Sequence, residues 1–173
     1  PSLSICDLGC GNGSALVPFR QAGFEVVGVE PDEQARMIAT NLLDELHAGT
    51  AETATAVLPG RRFSCVRLCH SLEHCHDPSR AIDQALALLA PGGVLMLETP
   101  NCAARGFAQQ EGCWPWTDIP RHLNFFSEKS LRKACDVAGL EVEVCDFRGF
   151  GRQMSDDWLA EEAKIDSILR PEG

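Results

Sequence analysis

The sequence predicts an α/β fold in which a doubly wound, mostly parallel sheet is flanked by helices. One observation behind this prediction is that short apolar runs alternate along the chain with stretches of helical spacing, as in repeated strand-helix-strand units. Another is that the first apolar run stops at a glycine-rich stretch, ICDLGCGNGSA over residues 5–15. Such a stretch is typical of a loop that leads from a buried strand into a helix.

The first strand-helix-strand unit begins almost at the start of the chain. Residues 3–8 are an apolar run that ends at the glycines, as a buried strand does. Residues 14–22 predict a helix, because Pro18 is tolerated in a first turn and Gly23 stands where a C-terminal cap is expected. Residues 24–30, FEVVGVE, are the second apolar strand.

The next elements follow the same alternation. After Pro31-Asp32, apolar residues recur at the spacing of one helical face: Ala35, Ile38, Ala39, Leu42 and Leu43. A weak third strand is predicted at 46–50, and a clearer one at 62–69, RFSCVRLC. Asp77 and Pro78 then supply an N-cap and a first-turn proline. The helix they start carries Ile82, Ala85, Leu86 and Leu89 on one face.

Glycine, proline and serine residues mark where the remaining helices and strands begin and end. Pro91-Gly92-Gly93 is expected to break the helix before a strand at 94–97. Residues 101–126 predict a long irregular connection, of a kind that is usually functional or disordered. Ser127 can cap a helix ended by Gly139, with Leu131, Ala134, Cys135 and Ala138 on one face. Residues 140–144 alternate apolar and acidic, which favours an edge strand, and residues 154–169 predict a helix.

Composition limits the class of protein. The chain has 173 residues, of which 45% are hydrophobic, so we expect a single domain over residues 1–173. Its formal charge of −10 argues against binding to nucleic acid. No apolar run approaches the ~20 residues of a membrane span, and no signal peptide is evident, so the cytoplasm is the expected location. Cys6, Cys65 and Cys145 lie in apolar runs and are interpreted as reduced core residues.

The glycine loop predicts a nucleotide-like ligand. In an open α/β sheet the ligand lies beyond the carboxyl ends of the strands, beside the first strand. A dinucleotide fingerprint G-x-G-x-x-G/A started at Gly9 meets Ser14 at its sixth position, and one started at Gly11 meets Leu16. Binding of a dinucleotide through its diphosphate is therefore less favoured. Asp7 precedes the glycines, which suits a cationic ligand better, and Glu30 ends the next strand, where it could accept hydrogen bonds from ribose hydroxyls.

Five stretches together resemble one family, the class I S-adenosylmethionine (SAM)-dependent methyltransferases. They are DLGCGNG, VVGVEPD, RRFSCVRLCHSLEHCHDP, LAPGGVLMLETPN and PRHLNFFSEKSLRKACDVAGLEVE. The last resembles the small-molecule branch that includes ubiquinone-biosynthesis O-methyltransferases. The resemblance covers residues 3–147 and implies a Rossmann-like fold. Relative to that family, the chain is expected to lack the N-terminal cap helices and the final antiparallel strand.

The resemblance also implies roles for individual residues. Those of the glycine loop would hold the methionine-and-ribose end of SAM, which leaves as S-adenosylhomocysteine (SAH): Asp7, Gly9, Cys10, Gly11 and Gly13. Farther along, Glu30 would bind the ribose diol, and Pro31 would lie against the adenine. Glu52 would be the acidic residue on the adenine side, and the backbone of Cys69 and His70 would border the methionine moiety.

Chemistry on the acceptor is expected from histidines. His74 lies in the cluster CHSLEHCH after the fourth strand, and His122 lies at the end of the irregular connection. Imidazole titrates near neutral pH and can act as a general base, and the chain has no tyrosine. His74 could instead order its loop, and Trp114 and Trp116 could pack over the sheet or line the acceptor pocket. No second Cys/His pair stands at zinc-finger spacing, so no metal site is expected.

The function predicted is therefore methyl transfer from SAM to a small-molecule acceptor, at an oxygen. Two alternatives remain open. The chain could be a SAM-binding module without turnover of its own, as in one subunit of a heteromeric enzyme. It could also be a nicotinamide-dependent oxidoreductase, which Ser14 in the fingerprint disfavours. The acceptor and the oligomeric state do not follow from the sequence.

Overall fold

The computed structural model describes residues 3–110 and 114–147. The chain divides into two compact units, Pro1–Gly139 and Leu140–Gly173. All helices and strands of the described residues belong to the first unit. Within that described part, no helix has the length and apolar character needed to span a membrane.

Five parallel strands form one sheet in the order β3-β2-β1-β4-β5. Their bounds are Ser4–Leu8 (β1), Glu25–Glu30 (β2), Glu45–Ala48 (β3), Phe63–Cys69 (β4) and Leu89–Glu98 (β5). β1 is central and buried along its whole length, as its apolar sequence predicts. The order reverses between β1 and β4, so a crevice is expected at their carboxyl ends. The predicted doubly wound fold is confirmed.

Among the described residues, six α-helices connect or follow the strands: Val17–Gln21 (α1), Glu33–Ala39 (α2), Ala54–Val57 (α3), Pro78–Leu88 (α4), Arg105–Gln110 (α5) and Glu128–Val137 (α6). Three predicted helix starts are confirmed and carry side-chain caps, whereas the helix predicted at 14–22 begins with a 3₁₀ turn at Ser14–Leu16 that has no such cap. Asp32 accepts from the Ala35 N–H, Asp77 accepts from the Arg80 N–H, and Ser127 forms a capping box. These caps satisfy amide groups that have no partner inside a first turn.

The core positions the glycine loop. One buried cluster joins β1 and β2 to the segments that follow them: Ile5, Cys10, Leu16, Val26, Ala39 and Leu43. On α4 the buried face consists of Ala81, Ile82, Ala85 and Leu88. α4 packs against β4 and β5, while the first cluster joins Cys10 of the glycine loop to β1 and β2 and so fixes the strand end from which the loop departs.

Two predicted boundaries are wrong. α4 ends at Leu88, and β5 already begins at Leu89, so Pro91-Gly92-Gly93 lies inside a strand instead of before it. β5 is an edge strand, where a proline without an N–H is tolerated. The pairing with β4 shifts register between Phe63 and Cys65, which accommodates the extra residues.

Some predicted packing is also wrong. Ile38 is 60% exposed instead of facing the core. α2 ends at Ala39, so Leu42 and Leu43 follow the helix instead of lying on its face, but Leu43 is buried in the core and Leu42 packs against it, as predicted. Residues 140–144 are not a strand, because alternation alone does not supply the neighbouring backbone that a strand must pair with. Cys145 is accordingly exposed, and Cys65 is only partly buried, whereas Cys6 lies in the core as predicted. The helix predicted at 154–169 lies outside the described residues.

Candidate active site

The glycine loop is packed at one end and open in the middle. Gly9, Gly11 and Gly13 have φ angles of 88°, 54° and 76°, in the left-handed region that favours glycine. A Cβ placed on Gly9 would lie 2.5 Å from the Cβ of Ser71, so the loop presses against the segment that follows β4. A Cβ placed on Gly11 would meet no atom within 4 Å. Gly11 thus borders open space.

Glu30 ties this loop to the end of β2. Its Oε2 accepts a hydrogen bond from the Gly11 N–H at 2.8 Å, and its Oε1 accepts one from the Asp32 N–H at 2.9 Å. The residue is 8% exposed. Each carboxylate oxygen can accept a further hydrogen bond, so the group that fixes the loop can also bind a hydroxyl beside Gly11.

Asp7 is paired with a residue that sequence reasoning missed. It faces Arg67 in the register of β1 and β4, and Arg67 Nη1 donates to Asp7 Oδ2 at 2.6 Å. Asp7 Oδ1 is buried and has no hydrogen-bond partner. Burial raises the pKa of Asp7 to about 7, although the Arg67 guanidinium opposes that shift. The sequence feature that could have indicated this pair is an arginine, Arg67, inside an otherwise apolar strand.

Two further residues predicted to bind the cofactor differ in exposure: the Cys10 side chain is buried, and Pro31 is exposed. The Cys10 thiol is buried against Gly28, and burial raises its pKa to about 12, so only the backbone of Cys10 is available to a ligand. Pro31 is exposed, and its carbonyl accepts from Arg36 Nη1 at 2.5 Å.

Glu52 holds the start of α4. Its Oε1 accepts from the backbone N–H groups of His76 and Asp77, at 2.8 and 3.1 Å. Arg80 Nε donates to the Glu52 carbonyl at 3.1 Å. The carboxylate thereby fastens the loop after β4 to the turn after β3. A contact to adenine, which the resemblance implies for Glu52, stays a prediction.

His74 and His122 lie together, with ring centroids 4.7 Å apart. His74 Nδ1 lies 2.9 Å from the Arg121 carbonyl, and His122 Nδ1 lies 2.8 Å from the Trp116 carbonyl. A carbonyl only accepts, so the hydrogen-bond pattern assigns the proton to Nδ1 in both rings. In the neutral rings Nε2 therefore carries the lone pair, which is the form a general base requires.

Glu73, which sequence reasoning missed, lies near His122 and also near His70. It is 1% exposed, and neither carboxylate oxygen has a hydrogen-bond partner. Its Oε1 lies 3.4 Å from His70 Nδ1 and 4.0 Å from His122 Nε2. Its backbone carbonyl accepts from Leu123 and Asn124 and so docks the His122 segment. In the sequence, this acid is indistinguishable from a solvated one.

Cys69 and His70 close the other side of the site. Cys69 Sγ donates to Glu98 Oε2 at 3.1 Å. Burial raises the pKa of the Cys69 thiol to about 12, and the hydrogen bond to Glu98 is the second cause of that increase. His70 has a φ of 52°, which is uncommon for a residue with a Cβ and often marks a functional segment. Its ring stacks on Trp116 with centroids 5.6 Å apart.

The connection predicted over 101–126 is more ordered than expected in its described residues, 101–110 and 114–126, which contain α5, a 3₁₀ turn at Pro115–Thr117 and a bridge between Asn101 and Phe126. Trp114 is buried, and its ring packs edge-on against Phe107 at 5.7 Å. Trp114 thus has a packing role, and Trp116, whose ring stacks on that of His70, stays a candidate for lining the acceptor pocket.

In the described part of the chain, two groups of side chains could hold a metal ion. The possible ligand atoms of Glu73, His74 and His122 lie within 4.8 Å of one another, and so do those of Cys69, His70 and Glu98. The first group does not follow from sequence spacing, because His122 comes from a distant loop. The expectation that the site uses no metal stays a prediction.

Comparison with known proteins places the chain among methyltransferases. A family model described as "Methyltransferase domain" matches residues 1–144. A ubiquinone biosynthesis O-methyltransferase from Dinoroseobacter shibae is 30% identical over 149 residues, which are 80% of this chain and 60% of that protein. The chain spans 43 to 60% of the length of the first curated relatives it matches.

Solved structures agree with this placement. A SAM-dependent methyltransferase from Thermotoga maritima is 26% identical and superposes with a TM-score of 0.64, covering 82% of this chain and 65% of that one. SAM-bound CalS10, an amino pentose methyltransferase from Micromonospora echinaspora, is 30% identical with a TM-score of 0.50, over 56% of this chain and 42% of that one. The resemblance found in the sequence is confirmed: this chain belongs to the methyltransferase domain family.

Proposed function

We propose that the chain binds SAM and transfers its methyl group to an oxygen of a small-molecule acceptor. The observation that carries this proposal is the coupling of the open glycine loop to Glu30, at 2.8 Å from the Gly11 N–H to Oε2. The loop lies where the strand order reverses, which is where open α/β sheets bind ligands. The O-methyltransferase names of the curated relatives support oxygen as the acceptor atom.

The residues present fit SAM. Gly11 borders open space, so a ligand can approach the backbone there. Glu30 keeps acceptor capacity for hydroxyl groups, as a ribose diol requires. Asp7 Oδ1 is a buried acceptor without a partner, which suits a positively charged group. We propose that the remaining cofactor contacts come from Pro31, Glu52 and the backbone of Gly9, Cys10, Gly13, Cys69 and His70.

SAM supplies an activated methyl group on a sulfonium, so the protein needs to align the acceptor and remove its proton. We propose His122 and His74 as the groups that do this. Both rings keep an Nε2 lone pair while their Nδ1–H groups are anchored on carbonyls, which fixes their orientation. Glu73 lies near enough to stabilise an imidazolium electrostatically, at 4.0 Å from His122 Nε2.

The two alternatives have less support. A nicotinamide enzyme would need the third fingerprint glycine, and Ser14 there instead donates its N–H and its hydroxyl to Asn12. A binding module without turnover does not account for two imidazoles of defined tautomer beside the buried Glu73. The described cysteines are free thiols, which supports the cytoplasm as the proposed location.

Replacing Glu30 by alanine is expected to weaken SAH binding about tenfold or more, because charge-assisted hydrogen bonds to a carboxylate contribute about 1.5–3 kcal/mol. It should also lower stability, since two backbone N–H groups lose their acceptor. Calorimetric titration with SAH and its 2′-deoxy analogue separates the two effects. The parent should prefer SAH, and the variant should not. An unchanged preference would exclude the ribose contact, and Glu33→Ala, on the exposed start of α2, is the matched control.

The proposed activity is tested by incubating the protein with SAM and pooled hydroxylated metabolites and measuring products by mass spectrometry. We expect a product heavier by one methylene unit, and SAH formed in equal amount. SAH binding without any methylated product, over pools that include phenols, sugars and amines, would favour the binding-module alternative. Methylated amines alone would retain the methyltransferase and reject oxygen as the acceptor atom.

A further inference from the structure

Arg67 is a charged residue in the middle of the sheet, and nothing in the cofactor contacts proposed so far uses it. It lies on β4 directly opposite Asp7 on β1. The side chains of Arg67 and Asp7 are only 13% and 3% exposed, and Arg67 Nη1 donates to Asp7 Oδ2 at 2.6 Å. A buried arginine on a strand is costly unless its charge and its donors are used.

The pair is only half satisfied. Asp7 Oδ1 is buried without a hydrogen-bond partner. Arg67 has five N–H donors in a planar fork, and among the residues that the structure describes its side chain interacts with the Asp7 carboxylate and the Cys69 thiol, of which Asp7 is the one carboxylate. The pair therefore offers an acceptor and several donors side by side. A group that carries both an ammonium and a carboxylate, as an α-amino acid does, complements this arrangement.

The positions of Asp7 and Arg67 in the sheet also suit the amino-acid end of the cofactor. Asp7 stands two residues before Gly9, and Arg67 stands two residues before Cys69, so both approach the carboxyl ends of the two strands where the order reverses. Both side chains lie on the same face of the sheet, because opposed residues of neighbouring strands point the same way.

We propose that Arg67 binds the α-carboxylate of the cofactor's amino-acid end, while Asp7 Oδ1 accepts from its ammonium. This inference rests on the proposed function, because it concerns how the same site recognises SAM. A guanidinium binds a carboxylate through parallel N–H donors, which gives strength and orientation. An ammonium at Oδ1 also supplies the second partner that the buried Asp7 carboxylate lacks. Burial raises the pKa of Asp7 to about 7, and an ammonium at Oδ1 would oppose that shift by stabilising the carboxylate.

The test compares two ligands that differ only in the carboxylate: SAH and its decarboxylated amine analogue. The parent protein should bind SAH roughly 10- to 100-fold more tightly than the analogue. In Arg67→Met, SAH affinity should fall by about that factor, affinity for the analogue should change little, and the preference should disappear. Arg62→Met, which changes an exposed arginine just before β4, should retain the preference.

Arg67→Lys provides a second variant in case the methionine variant fails to fold. It keeps a cation beside Asp7 but lacks the fork, so the preference for SAH should be smaller than in the parent. If Arg67→Met or Arg67→Lys weakens both ligands equally, Arg67 only neutralises Asp7, and the inference is wrong. If the variants bind SAH as the parent does, it is also wrong. If the folded parent binds neither adenosyl ligand, the proposed function itself fails.

Discussion

Replacing His122 by alanine is expected to lower turnover by roughly 10²–10⁴-fold, the range that a positioned general base contributes, while leaving SAH affinity nearly unchanged. His122 is 8% exposed, and its Nδ1–H is held by the Trp116 carbonyl, so Nε2 is the ring nitrogen that keeps a lone pair. His74→Ala should act in the same direction. Its ring lies 4.7 Å from that of His122, so either imidazole can reach a shared acceptor.

The measurement is steady-state methyl transfer to the acceptor that the mass-spectrometric screen identifies, together with SAH titration and a thermal melt. His76→Ala is the matched control. Its side chain is exposed in the same loop, and its backbone N–H, which Glu52 accepts, is kept in the variant. Full turnover in both His122→Ala and His74→Ala would mean that alignment alone drives the reaction and that neither imidazole is the base.

Gly11→Ala is expected to weaken SAH binding by roughly 10- to 100-fold with only a small loss of stability. The φ of 54° permits alanine at a modest cost, and a Cβ there meets no protein atom within 4 Å. The methyl group instead occupies space that we assign to the ligand, and overpacking of that kind costs about 1–3 kcal/mol.

Gly60→Ala separates ligand exclusion from backbone strain. Gly60 has a φ of 71°, and a Cβ placed on it would also meet no atom within 4 Å, but it lies in a turn before β4, at the opposite ends of the strands. It should lose similar stability and no SAH affinity. Equal SAH binding by parent, Gly11→Ala and Gly60→Ala would remove the glycine loop from the cofactor site. Gly9→Ala is less informative, because its Cβ would clash with Ser71.

Local patterns predicted the sheet and the cofactor side of the site. The positions of the glycines and of Glu30 are determined by strand ends, and strand ends are marked in the sequence by an apolar run and its termination. The caps at Asp32, Asp77 and Ser127 were predictable for the same reason, since each involves amides only three residues away.

Features that depend on distant neighbours were not predictable. Glu73 and Arg67 became meaningful only when β1, β4 and the loop of His122 came together. The strand predicted at 140–144 was wrong because alternation does not identify a pairing partner. β5 includes Pro91 because it lies at the sheet edge, and strand order is a property of the whole fold.

Calorimetric titration of the folded chain with SAH and with NAD tests most directly whether the glycine loop and Glu30 form a SAM site. We expect SAH to bind with one site per chain and at least about tenfold more tightly than NAD, a difference of about 1.4 kcal/mol. Tighter binding of NAD, or no heat of binding with either SAM or SAH from a protein whose thermal melt shows it to be folded, would contradict the account.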